Sequence, residues 1–541
     1  MKINFTKNNK LQMLYKPLSI GILSLVIFLS ILAVQQIKKI KTQYSASQFQ
    51  PKTHELLNID QNIRELYHIQ SLSPHILLLR LPKGKSWLDS EQFTQLSKLT
   101  SALEESTKVK SVTSLTNIQT AVVDQESFYT GKISEVLQDD TSFKKILNNP
   151  LLSPQLITKS GRSTAVIVTP QNISNAGHSQ LIQQLKTLSA IYLPHAYAQV
   201  GGPAAIRTEV SNLLSKEILI FMSLSLLGAI LILCFVFKGW MALPTTLFIV
   251  LSGNLIALGA MELIGSTFTI LSTTVPILVT ITIVAISTHT MVRLGDNIKE
   301  QEDSSILYIL AVMKELSGPH LLTAITTMVG FGTLIFSDVP LIYEYGKTVS
   351  LLVPLAALVT LLTLPAILFW LPVPQTRDWL NSKNRFADFV VKFRWPLFFT
   401  ITISFFILSY VGRDLQWTSR MFDDLPQSHS ARKSTQYINK YLGGVIPLEI
   451  SIGDLEHKLG WKSIQRIQKL DQLISKWRKY PGVGSVVGLS DFIKMANPNS
   501  RLPRKSQSLS EIYLIYGMAN ENPLTNYLTP NYQETRVTIK F

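Results

Sequence analysis

The sequence predicts a polytopic α-helical membrane protein of about seven transmembrane helices with two extracytoplasmic α/β domains of the α+β sandwich kind. Three observations carry that prediction. Seven stretches free of Asp, Glu, Lys and Arg are long enough, as helices, to cross a hydrocarbon core of about 30 Å. Two long polar segments, one after the first such stretch and one after the seventh, alternate strand-like and helix-like runs. The basic residues of the short loops gather where one side of a membrane would put them. Composition agrees, since 46% of the 541 residues are hydrophobic and only 16% charged, against roughly 25% charged in an ordinary soluble domain.

Residues 1–16 carry Lys2, Lys7, Lys10 and Lys16 and read as a cytoplasmic N-terminus. The first span, 17–37, has the outline of a signal peptide. Its core is long, however, and "LAVQQIKKIKTQY" offers no small-residue cleavage site, so it reads as an uncleaved helix. Residues 38–217 form the first outer domain, with strands in "HILLLRLP" and "STAVIVTP" and a helix in "SEQFTQLSKLTSALEES". A five-span block follows at 218–376, with spans at 218–237, 240–261, 267–292, 320–337 and 348–372. Its start is marked by Gly201, Gly202 and Pro203, a turn of fixed shape and a candidate hinge. Gly318 and Pro319 read as a loop-to-helix start for the fifth span.

A cytoplasmic linker at 377–394 leads to the seventh span, 395–412, and then to a second outer domain, 413–541, containing "PLEISIG", "IQRIQKLDQLISKWRKY" and "TRVTIKF". With the N-terminus inside, Arg293, Lys299, Lys314, Arg377, Lys383, Arg385, Lys392 and Arg394 all fall in inward loops, as the positive-inside rule requires. Both outer domains then share the opposite side.

The two outer domains look like copies. "LTSALEESTKVKSVTSLTNI" (99–118) parallels "LDQLISKWRKYPGVGSVVGLSDF" (470–492), so that Val109, Ser111, Val112 and Leu115 align with Val483, Ser485, Val486 and Leu489 at an offset of 374. The strand from Pro74 pairs with the one from Pro447, and "STAVIVTP" with "ETRVTIKF". The first copy runs through a span, a domain and five further spans. The second reaches its span and most of its domain, so the second domain is expected to be incomplete and the repeat cut short at Phe541.

Several functions are disfavoured. The single Cys234 lies in "ILILCFVF" and leaves no disulfide framework or cysteine metal site. No G-x-x-x-x-G-K-[ST], H-E-x-x-H, G-x-S-x-G or CxxC pattern occurs, so neither an enzyme nor a cofactor or metal is expected. The net charge of +16 is scattered without aromatic-interleaved basic patches, which argues against nucleic acid as a partner.

The plan resembles that of the resistance-nodulation-division (RND) superfamily, and within it the MmpL-like predicted exporters, whose five-span block is shared with sterol-sensing domains. The residues that carry the resemblance are "GGPAAIRTEVSNLLSKEI" before the second span, "VPILVTITIVAISTHTMVRL" in the fourth, and "GPHLLTAITTMVGFGTLIFSDVPLIYEYG" through the fifth. "DDLPQSHSARKSTQYINKYLGGVIPLEISI" and "NPLTNYLTPNYQETRVTIKF" match the second outer domain. The resemblance implies porter-type outer domains and a proton-driven inner-membrane pump moving lipids or other hydrophobic molecules outward. It implies too that a fourth-span carboxylate, commonly the Asp of A-D-S-x-H, takes up and releases protons, because only a changing charge lets a proton gradient bias two conformations.

Here the chain departs from its family. Setting "AISTH" on A-D-S-x-H aligns Ala285, Ser287 and His289 and puts Ile286 at the carboxylate. The remaining titratable group of the span is His289, whose ordinary pKa near 6.5 suits a proton carrier. It stands as a relay candidate with Ser287, Thr282, Thr326 and Thr327, or as a packing histidine one turn from Arg293. Thr323, Thr326 and Thr327 either line a polar path or bond back to their own helix. Asp338 and Glu344 are gating candidates, or caps at an outer turn. Glu262 is a charge between the third and fourth spans, or a solvated interfacial residue.

The leading expectation is an RND-type exporter of lipids or hydrophobic molecules with its fourth-span carboxylate missing. The alternatives are a non-transporting lipid-sensing or scaffold protein and an inactive fragment. Expected partners are a membrane lipid or hydrophobic substrate, and either a homo-oligomer or a second chain supplying the missing half.

Overall fold

The computed structural model describes residues 5–40, 42, 44, 46–69, 73–123, 128–132, 151–238, 240–298, 306–377, 385–413, 425–453, 460–497, 501–518 and 522–541. Lys2, Lys299 and Lys383, counted above among the inward-facing bases, lie outside them, as do parts of the 377–394 linker and of the stretch leading into the second outer domain. The chain divides into two compact units, one of Met1–Lys52 with Ser211–Ser419, the other of Thr53–Val210 with Arg420–Phe541.

The first unit is helical; among the described residues seven helices are long and apolar enough to cross a membrane, at Tyr15–Ile37, Pro203–Val236, Ala242–Leu263, Leu271–Gly295, Ile306–Phe336, Pro340–Leu368 and Arg394–Gly412. The chain is a membrane protein. Burial sorts the spans. The third, fourth and sixth have 61%, 56% and 67% of their most apolar stretch buried, whereas the second, fifth and seventh have 11%, 6% and 0%. Leu219, Ile220, Leu224, Leu227 and Leu231 of the second span are therefore exposed, an arrangement that suits lipid or another protein surface rather than water.

Small residues let the helices approach. A Cβ on Gly259 of the third span would lie 2.5 Å from the Cβ of Ala33 on the first. One on Gly253 would lie 2.5 Å from Ile283 Cδ1 of the fourth. Polar ties close the ends: Lys347 Nζ donates to the Ile264 carbonyl at 2.8 Å, Thr348 Oγ1 to Ser266 Oγ at 2.9 Å, and Trp370 Nε1 to Ser19 Oγ at 3.1 Å.

The fifth span corrects the sequence reading. Gly318 and Pro319 do not begin it; the helix runs without a break from Ile306 to Gly332, with Pro319 inside. A proline inside a helix lacks the N–H that would bond back and crowds the carbonyl four residues earlier; with Gly318 before it, the further clash with a preceding Cβ is absent. Lys314 and Glu315, which marked the loop, are exposed on the helix surface, and Glu315 reaches Arg293 of the fourth span at 2.9 Å.

The second unit joins both polar segments around two antiparallel sheets. In the first, β1 (His75–Arg80) lies between β5 (Ser163–Pro170) and β6 (Tyr197–Gly201), with β2 (Val109–Thr113) outside β5. A separate hairpin pairs β3 (Gln119–Val123) with β4 (Phe128–Lys132). In the second sheet, β9 (Glu534–Lys540) lies between β7 (Pro447–Gly453) and β8 (Ser485–Gly488). The order β2-β5-β1 thus recurs as β8-β9-β7. The loop before the central strand recurs too. Thr158 N–H donates to the Ser163 carbonyl at 2.9 Å and Thr529 N–H to that of Glu534 at 3.0 Å, while each threonine Oγ1 accepts the amide in return, at 3.1 and 3.0 Å.

Strand alternation explains how the faces are filled. Leu77 and Leu79 of β1 point into a core with Leu96, Leu99 and Leu103 of α2 (Ser90–Glu104) and Leu181 and Leu185 of α3 (Asn175–Tyr192). Ile76 and Leu78 point the other way and meet Ile438 and Leu442 of α4 (Ser430–Tyr441), with Val445 just beyond it. That helix belongs to the second copy. The second sheet buries Val486, Val537 and Ile539 on Ile467, Leu470 and Ile474 of α5 (Ile464–Trp477). From the first copy, α1 (Glu55–Leu66) ends at the buried Tyr67, whose hydroxyl lies 2.7 Å from Ser451 Oγ on β7. The helix preceding each sheet is spent on the other sheet.

Candidate functional site

In the membrane unit the fourth-span helix, Val275–Ile298, is surrounded on three sides, so its register decides which side chains meet protein. Ile286 is 5% exposed and packs with Ala324 of the fifth span and Ala357 of the sixth. Ser287 is fully buried and its Oγ has no partner; Thr288 Oγ1 likewise has none.

His289 points out of the bundle and is exposed. Thr290 turns back inward, its Oγ1 lying 3.4 Å from Nε2 of His320 on the fifth span. His320 is within electrostatic reach of His289. Two imidazoles therefore sit near the end of the fourth and fifth spans where Arg293 and Glu315 pair.

The hydroxyl candidates do not assemble around His289. Thr282 Oγ1 donates to the Leu278 carbonyl at 2.9 Å, and Thr326 and Thr327 both donate to the Thr323 carbonyl, at 2.9 and 2.8 Å. Such back-bonding satisfies a hydroxyl in a helix without any partner across the interface. Among the described residues no hydrogen bond links these three threonines to another span.

A polar contact that sequence reading did not single out lies deeper. Asn254 of the third span is 1% exposed; its amide donates to Thr280 Oγ1 at 2.9 Å and to the Val250 carbonyl at 2.9 Å. Thr280 is in turn 3.3 Å from Ser225 Oγ of the second span. Three spans are tied by neutral polar groups, a tie worth about 0.6–2 kcal/mol in a membrane. The signal was there to find: "LSGNLIALG" carries one amide in an otherwise apolar or small-residue run.

The gating candidates lie apart. Asp338 is exposed, and its carbonyl accepts Lys52 N–H at 3.0 Å. Glu344 has a buried Oε2 without a partner. Glu262 is half-buried, with its carbonyl capped by Gly265 N–H at 2.9 Å.

In the second unit, Gly201 ends β6 opposite Ile76, Gly202 takes φ +88°, and Pro203 begins the helix of the second span. The joint is filled. Gly202 N–H donates to Thr435 Oγ1 at 3.0 Å, and a Cβ on Gly201 would stand 2.6 Å from Ser434 Oγ. The candidate hinge is thus clasped by α4.

The same unit holds a cavity of about 870 Å³, lined from the first copy by Val109, Lys110 and Gln155 and from the second by Val487, Phe492 and Tyr527. Its lining mixes amide, ammonium and aromatic groups, a surface for amphiphilic rather than purely apolar molecules. Among the described residues, no cluster of three or more His, Cys, Asp or Glu could hold a metal ion.

Compared with known proteins, the chain matches the family model described as the MMPL family over residues 81–401, more than half its length. No curated protein matches it.

Proposed function

The chain belongs to the MMPL family, whose members are transporters of the RND superfamily, and from that premise we propose that it exports lipids or other hydrophobic molecules across an inner membrane. The carrying observation is the match over residues 81–401, which takes in most of the first polar segment and the whole five-span block. The positive-inside pattern supports an N-terminus in the cytoplasm and both polar segments on the periplasmic side. The mixed lining of the cavity between Lys110 and Tyr527 supports an amphiphilic cargo. In this reading the proton-motive force, where it acts, acts elsewhere than at position 286, since Ile286 sits in apolar contacts and carries no charge to change.

A specific observation favours a second reading. The packing of the uncharged Ile286 on Ala324 and Ala357 fits a five-span block that senses or organises lipid without pumping it.

Purified protein in proteoliposomes carrying a fluorescent short-chain phospholipid, with and without an imposed proton gradient, separates the two. Gradient-dependent movement of the probe supports the exporter and excludes the sensor. Gradient-independent movement keeps transport and removes the proton coupling. No protein-dependent movement of this or of longer-chain probes overturns the exporter.

A further inference from the structure

In the second unit, three basic side chains converge with no acid to balance them. His75, the first residue of β1, is fully buried, and its Nε2 lies 3.0 Å from Nδ1 of His178 in the first turn of α3. Arg207 reaches in from the helix that begins at Pro203, and its guanidinium donates to Ser73 Oγ at 3.0 Å. Two nitrogens of the group are buried without partners, His75 Nδ1 and Arg207 Nε. Burial first, then His178 and Arg207, hold His75 down to about 3, and burial with Arg207 pushes His178 below its ordinary value. Among the described residues no carboxylate acts on any of the three. Glu209, the nearest acid in sequence, faces His429 instead, at 3.8 Å.

A half-buried guanidinium whose Nε is enclosed, beside a fully buried imidazole and a half-buried one, is an unfavourable arrangement unless something anionic completes it. A metal cation fits poorly, because Arg207 would repel it and only two ligands are present. An oxyanion fits well: it accepts from several donors at once, pairs with a guanidinium through two oxygens, and is favoured at the starts of the two helices that bring His178 and Arg207.

We propose that Ser73, His75, His178 and Arg207 form a binding site for a phosphate-type oxyanion. The anion would accept from Arg207 Nε–H and from one imidazole N–H, and the second imidazole would gain a proton as it binds. Affinity therefore rises as pH falls from 7.5 towards 6, about tenfold per pH unit for each proton taken up. The site is independent of whether the protein transports anything.

The test uses the full chain with ¹⁵N-labelled histidine in phosphatidylcholine nanodiscs, titrated with inorganic phosphate and, separately, with a water-soluble short-chain phosphatidic acid. His75→Asn and His178→Asn identify the two ring signals. Both signals should shift on saturation, one of them to the protonated form, and Arg207→Gln should weaken binding at least tenfold. A response to phosphatidic acid alone identifies a lipid headgroup as the occupant; a response to inorganic phosphate alone identifies a free anion. If neither titrant shifts the histidine signals, or Arg207→Gln binds as tightly as the parent, the proposal is overturned. The parent titration decides the matter even if the Arg207 variant does not fold.

Discussion

Ile286 and His75 show at the level of single residues how burial decides what a position can do. An ionisable group at 286 would have to share its space with Ala324 and Ala357, neither of which can accept or donate a hydrogen bond. Ile286→Asp should therefore destabilise the protein by about 3 kcal/mol or more, read as a lower unfolding midpoint in detergent, and should not by itself create proton-coupled transport. His75 carries a pH signature. Its pKa is depressed in the folded state to about 3, so the stabilising neutral form is fully present above the ordinary value near 6.5 and is lost as pH falls from there towards 3. In phosphate-free buffer the unfolding midpoint should drop across that window, and His75→Gln should flatten the drop. The alignment of Ile286 with the family's carboxylate position rests on "AISTH" alone, and the apolar neighbours of Ile286 came only with the fold. The His75–His178–Arg207 cluster was not legible in the sequence, since its members come from three elements whose convergence is purely tertiary.

Elements were read well where composition alone decides them. A stretch without charges has to be a span, and each of the seven stretches expected to cross the membrane lies within, or largely overlaps, a long apolar helix. The start of the fifth was misplaced because a Gly-Pro pair normally punctuates, whereas here Pro319 lies inside the helix and the helix continues. Contacts between spans stayed hidden, because lipid and protein ask for the same apolar side chains and hydropathy cannot tell the lipid-facing seventh span from the buried sixth. Gly259 is a case where the contact can be tested. With Ala33 Cβ 2.5 Å from its would-be Cβ, Gly259→Leu should force the first span away from the third at a cost of about 1–3 kcal/mol. Gly228, with nothing within 4 Å, is the matched control: Gly228→Leu should leave the midpoint close to the parent's.

On the scale of the whole molecule, the polar segments on either side of the five-span block fold into one body. Each sheet has one face covered by its own copy's helices and the other by a helix or loop of the opposite copy. Residues 53–210 expressed alone should expose Ile76, Leu78 and Ala165 and aggregate. Adding residues 420–541 in trans should restore solubility, and a rescue that survives Ile438→Asp and Leu442→Asp would refute the explanation. The resemblance between the copies could be read from their motifs, but the exchange of helices could not, since α4 has the same amphipathic pattern whichever sheet it covers.

That exchange bears on how such a protein can change over time. Two copies that had each kept their own helix would be free to drift apart, one refining a ligand surface while the other merely stayed folded. Here a substitution at Ile76 is felt at Ile438, on the far side of six spans in sequence, so the copies inherit one another's mutations. The trade of helices makes the two halves a single heritable unit, in which compensating changes must arise in both.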